Sequence, residues 1–90
     1  MVKSVETSID GGLGQVKSRL KELVAIKERQ SNRELTNGDI AVATGISEHT
    51  IGKWMKPRPL TQINADVVRR LCKYLECQIG ELLYIERSDN

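Results

Sequence analysis

The chain has 90 residues, room for one domain with a small core. Apolar residues make up 39% and charged residues 29%, which excludes a disordered or fibrous chain. Aromatic residues are only 3%, so Leu, Ile and Val must supply the packing. No apolar run approaches the roughly 18–20 residues of a membrane span, and no apolar leader follows Met1. A soluble, cytoplasmic protein with no membrane association is expected.

The net charge of +2 decides little, but its distribution says more. Residues 17–34 carry six basic and three acidic side chains, and 47–60 carry Lys53, Lys56 and Arg58 against Glu48. Residues 79–90 are net −2. One cationic face suits a nucleic-acid partner, and solvated helix faces carry the same pattern.

In chain order, Val5, Thr7 and Ile9 alternate as in a short strand, and Gly11, Gly12 and Gly14 then break regular structure. Residues 1–14 are therefore read as an N-terminal arm or short strand. From Val16 the period turns helical: Val16, Leu20, Leu23, Val24 and Ile26 share a face, predicting an amphipathic helix over 15–29. Thr36 caps a second helix with Asp39 in its first turn, and Gly45 ends it. Ser47 caps a third helix, 48–55, whose continuation Pro57 and Pro59 forbid. Asn64 caps a fourth over 65–75, with Val67, Leu71 and Leu75 in one row. A short fifth helix spans 78–83, and residues 84–86 are extended, available to pair with 5–9. The expected fold is all-α, a five-helix domain over 15–85 with a small ribbon from the terminal segments and a tail at 86–90.

Cys72 and Cys77 stand five apart and form no CxxC pair. They are read as structural thiols, a disulfide being the alternative in an oxidising compartment. With a single histidine, His49, the chain offers no histidine pair or histidine–cysteine cluster, so no metal or cofactor is expected. Gly12-Leu13-Gly14-Gln15-Val16-Lys17-Ser18 lacks the Gly-Lys-Ser triplet of a phosphate loop and the third glycine of a dinucleotide fingerprint. His49 lies on an exposed short helix with no buried carboxylate predicted beside it. Neither an enzyme nor a small-molecule substrate is expected.

The informative segment is 40–54, two short helices joined by Gly45-Ile46-Ser47. Ala41 is small where the helices cross, and Gly45 supplies the positive φ of the turn. Ile46, Ile51 and Trp54 point inward, and Glu48, His49, Gly52 and Lys53 point outward. That is how a helix-turn-helix presents its second helix to a major groove.

At Ile40-Ala41, Thr44-Gly45-Ile46-Ser47, Thr50-Ile51 and Trp54 the chain resembles the Cro/repressor-type (XRE) helix-turn-helix family of transcriptional regulators. The likeness continues through Leu71-Cys72-Lys73-Tyr74-Leu75, Cys77 and Gly80-Glu81-Leu82-Leu83, which look like the last two helices of its small bacterial members. The resemblance implies a sequence-specific double-stranded DNA-binding regulator, a repressor, working as a homodimer on half-sites about 34 Å apart. It matches Glu48, His49, Gly52 and Lys53 to base-facing positions, and Thr36, Asn37, Ser47, Thr50, Lys56 and Arg58 to phosphate-contacting ones. Chemically, Lys53 can donate to guanine O6 or N7, His49 to guanine or a phosphate, and Glu48 can accept from cytosine N4. Gly52 stands where the family usually carries a polar residue, at a helix cost of ~1 kcal/mol relative to Ala. Candidate dimer surfaces are the 5–9 and 84–86 strands, or the exposed parts of Leu82, Leu83 and Ile85. The alternative is a protein-interaction module, an antitoxin or adaptor built on the same bundle.

Overall fold

The computed structural model describes residues 13–87. Their order is β1 (Gln15–Ser18), α1 (Leu20–Ser31), α2 (Asn37–Thr44), α3 (Glu48–Met55), α4 (Ala65–Leu75), α5 (Ile79–Leu82) and β2 (Leu83–Glu86). Three helices start on the residues expected to cap them. Thr36 and Asp39 form a reciprocal box: the Asp39 N–H donates to Thr36 Oγ1 and the Thr36 N–H to Asp39 Oδ2, both at 3.0 Å. Ser47 Oγ accepts from the Thr50 N–H at 3.2 Å, and Asn64 Oδ1 accepts from the Asp66 N–H at 2.8 Å.

The first helix begins later than expected. Gln15–Ser18 is a strand, not the opening turn of a helix, and it pairs antiparallel with β2 in the register Val16↔Ile85 and Ser18↔Leu83. The spacing of Val16 from Leu20 satisfies a helical row equally well, which is why periodicity alone misplaces this segment. The backbone has better partners in the extended form. Arg19 N–H donates to the Leu82 carbonyl at 2.7 Å, and Leu60 N–H to the Val16 carbonyl at 2.8 Å. Ser18 Oγ then accepts from the Leu20 N–H at 2.9 Å, a start signal two residues before the helix. Lys17 and Glu86 form an ion pair across the ribbon, and Arg19 lies 4.3 Å over the Tyr84 ring. The described ribbon is made by Gln15–Ser18 and Leu83–Glu86; residues 5–9, expected to pair with 84–86, lie outside the described residues.

Leu20 and Val24 of α1, Ile40 of α2, Ile46 of the turn, Ile51 and Trp54 of α3, Val68 and Leu71 of α4, and Leu82 of α5 form the core. Trp54 is a core residue, not a stacking platform. Ile26, expected on the inner face of α1, is exposed. Leu82 is wholly buried and offers nothing to a dimer surface, whereas Ile85 on β2 is 56% exposed.

The α2–α3 turn is held from two sides. Thr44 Oγ donates to the Ile40 carbonyl at 2.7 Å and accepts from the Ile46 N–H at 3.2 Å. From α4, Arg70 Nη1 donates to the Thr44 carbonyl at 2.8 Å while its Nε donates to Asp66 Oδ2 at 2.7 Å. That guanidinium satisfies a helix-end carbonyl that would otherwise need water. Replacing Arg70 by Ala is expected to lower the unfolding free energy by about 1 kcal/mol, the loss of a partly exposed charged hydrogen bond. Urea titration of Arg70→Ala and Arg70→Lys beside the parent checks this. Lys keeps the charge but cannot span both acceptors, so it should recover little of the loss.

Candidate nucleic-acid interface

The ten residues singled out in the sequence fall on the N-terminus of α2, on α3, and on the loop that follows α3. Glu48, His49 and Lys53 are exposed, while Ile51 and Trp54 of the same helix are buried. Thr36, Ser47, Lys56 and Arg58 are exposed as well, and Asn37, Thr50 and Gly52 are half-buried.

The exposed face of α3 is flanked on both sides. On one side lies the start of α2. A Cβ placed on Gly52 would stand 3.9 Å from Asn37 Nδ2, and one placed on Gly38 would stand 3.8 Å from Glu48 Oε1. Asn37 and Gly52 are thus neighbours, with the amide lying over the part of α3 that lacks a side chain. Glu48 lies beside the first turn of α2 as well as within the first turn of its own helix, at two positive helix ends.

On the other side runs a groove of about 470 Å³ lined by His49, Thr50, Lys53, Trp54, Lys56, Arg58, Pro59, Leu60, Thr61, Gln62, Asn64 and Val67. Three cations and a histidine border it. Lys56 is extended, φ −85° and ψ 151°, as a residue before proline must be. Thr61 and Gln62 were not singled out in the sequence, because a polar loop has no periodicity to betray its inner side. A second hollow, about 530 Å³, lies between α2 and α4, where Arg70 and Asp66 are already engaged with each other.

Hydroxyl chemistry distinguishes Ser47 from Thr50. Ser47 Oγ donates to Thr50 Oγ1 at 2.9 Å and accepts from the Thr50 N–H, so its proton is committed. The Thr50 hydroxyl keeps its own proton for an outside acceptor. The Thr36 hydroxyl accepts from the Asp39 N–H and also engages the Asp39 carboxylate.

Asp39 is held below the ordinary carboxylate range, first by the Thr36 backbone N–H, then by the Thr36 side chain, with Arg33 adding a smaller effect. Because the folded value is depressed, its contribution is full above the ordinary carboxylate range and is lost as pH falls through the lowered value.

Residues 19–88 match the family model of a Cro/C1-type HTH DNA-binding domain. Among solved structures, a candidate DNA-binding protein from Bacteroides fragilis is similar, with a TM-score of 0.55 at 25% identity, covering 77% of this chain and 98% of that one. No curated protein matches the chain. Among the described residues, no helix is long and apolar enough to cross a membrane.

Two measurements follow from this geometry. Gly52→Ala meets only an ordinary contact with Asn37, so it should raise stability by up to about 1 kcal/mol through helix propensity; thermal unfolding reads this directly. A carboxyl-detected NMR titration should place Asp39 below the usual carboxylate midpoint. Amide protection at the start of α2 should fall together with that midpoint and become insensitive to acid in Asp39→Asn.

Proposed function

This chain belongs to the Cro/C1-type helix-turn-helix DNA-binding family, and from that premise we propose that it is a sequence-specific reader of double-stranded DNA that represses transcription by occupying a promoter. The reading domain expected over 15–85 includes Glu86, which closes β2, and the protein works in the cytoplasm. The observation that carries this reading is the asymmetry of α3. It buries Ile51 and Trp54 and exposes Glu48, His49 and Lys53 between the start of α2 and a cation-lined groove.

In the proposed complex α3 enters the major groove. Lys53 donates to guanine O6 or N7, His49 donates to a guanine or a phosphate, and Glu48 accepts from cytosine N4. Gly52 lets the helix backbone come close to the base edges. Asn37, Thr36, Ser47 and Thr50 fix the near phosphates, Ser47 through its backbone because its hydroxyl is committed. Lys56 and Arg58 hold phosphates along the groove on the far side, fixing register without reading sequence.

A single module of this size makes few contacts, and a homodimer on a two-fold site supplies the rest. Among the described residues the outer edge of β2 carries no strand, which supports that assembly. The ribbon is two-stranded in the order β1–β2, and the Val16 carbonyl on the outer side of β1 is already taken by Leu60. The outer edge of β2, with Ile85 exposed, is left for the same strand of a second copy.

Selection from a randomised duplex pool, followed by fluorescence titration at two salt concentrations, tests the reading. The expected result is an enriched palindrome. Lys53→Ala should then relax discrimination at one base pair by about 1–3 kcal/mol. Lys56→Ala with Arg58→Ala should weaken all sequences alike and reduce the salt slope by roughly 2. A pool that stays random, with binding lost near physiological salt, would overturn it.

A further inference from the structure

Both cysteines of the chain meet at one place, the C-terminus of α4. Glu76 there is left-handed at φ 55°, and the Cys77 N–H reaches back to the Cys72 carbonyl at 3.0 Å. The Glu76 N–H bonds to the Lys73 carbonyl at 3.3 Å. These two bonds define a Schellman cap, whose geometry brings the side chains three residues before the helix end and two after it into contact. Those two positions are Cys72 and Cys77, both half-buried and packed against the core. Any pair of apolar residues satisfies that contact, so packing alone does not ask for sulfur on both sides.

We propose that Cys72 and Cys77 form a dithiol site for a soft, two-coordinate d10 metal ion, of the class represented by Cu(I). Three features fit that class. The ligands are both sulfur, which selects soft ions over oxygen-seeking ones. Both thiols are free and half-buried, reachable by an ion yet screened from bulk water. The surroundings favour a cation: the last carbonyls of α4 carry partial negative charge, and the Glu81 carboxylate lies within electrostatic reach of Cys77. Among the described residues no group of three His, Cys, Asp or Glu side chains could hold a metal, so these residues do not furnish the four ligands of structural zinc. On binding, each thiol releases its proton to solvent and each sulfur forms one bond to the ion, with no change of oxidation state. The bound ion bridges the last turn of α4 to the connection into α5.

The test is an anaerobic competition for Cu(I) between the full chain and the chromophoric chelator bathocuproine disulfonate. The parent should withdraw one Cu(I) per chain from the chelator. Cys72→Ala and Cys77→Ala should each bind roughly 100-fold more weakly or not at all, as loss of one of two ligands requires. Circular dichroism on each, with Cys77→Ser as a second replacement, separates loss of a ligand from loss of the fold. The proposal is overturned if the reduced parent leaves all copper with the chelator, if folded alanine variants compete as well as the parent, or if the stoichiometry is one ion per two chains.

Discussion

How the chain leaves α2 at Gly45 determines where everything that follows can point. Gly45 has φ +78°, and a Cβ there would stand 2.6 Å from Arg70 Nη1. The backbone conformation and the space for the guanidinium therefore ask for the same residue. Thr44 fixes the turn from inside, bonding to the Ile40 carbonyl and the Ile46 N–H, and Arg70 fixes it from outside through the Thr44 carbonyl. With those three bonds made, Ile46 enters the core and Ser47 is placed to cap α3. The direction of the reading helix is thus set before any of its own residues are considered.

α3 has eight residues, too few to persist alone in water. Its helicity is borrowed from Ile51 and Trp54 in the core and from the Ser47 cap. Borrowed stability of this kind explains how the exposed face tolerates Gly52, a poor helix former, at its centre. It also explains why the outward residues are free of any packing role and available for contact chemistry. Pro57 and Pro59 complete the arrangement by narrowing the conformations open to Lys56 and Arg58, so less freedom is lost when those cations are ordered.

Helices α2, α3 and α4 were legible because their signals are local: a capping side chain, an apolar row, and a breaker lie within a dozen residues of each other. The start of α1 was not. Whether Gln15–Ser18 is helix or strand depends on Leu83–Glu86, almost the whole chain away, and on Leu60. No window around Val16 contains that information. The candidate interface divides in the same way. That Glu48, His49 and Lys53 face outward follows from period, given Ile51 and Trp54 inward. The lie of Asn37 over Gly52, the far wall of the groove at Thr61 and Gln62, and the grip of Arg70 on the turn all join separate elements. Only the Asp66–Arg70 spacing of four left a trace in the sequence, and it points to an ion pair rather than to the turn. The two cysteines, read as structural thiols with a disulfide as the alternative, come together at the end of α4 because Glu76 adopts a left-handed conformation that its residue type does not announce.

The charge pattern has its own logic under the proposed reading. A net charge of +2 gives little sequence-independent attraction to DNA, so affinity must come from cations placed locally. Those cations stand mainly on the stiff loop after α3, whereas the reading helix itself carries one lysine, one histidine and one glutamate. Glu48 is the instructive member. It stands in the first turn of α3 and beside Gly38 in the first turn of α2, positions that suit a carboxylate. Against a phosphate it is repelled, and in the groove only a donor such as cytosine N4 satisfies it. A helix that slides out of register brings Glu48 against an acceptor or the backbone and loses affinity. Under the proposed reading Glu48 would therefore add discrimination by penalising wrong sites, while Lys56 and Arg58 would hold the protein on DNA irrespective of sequence.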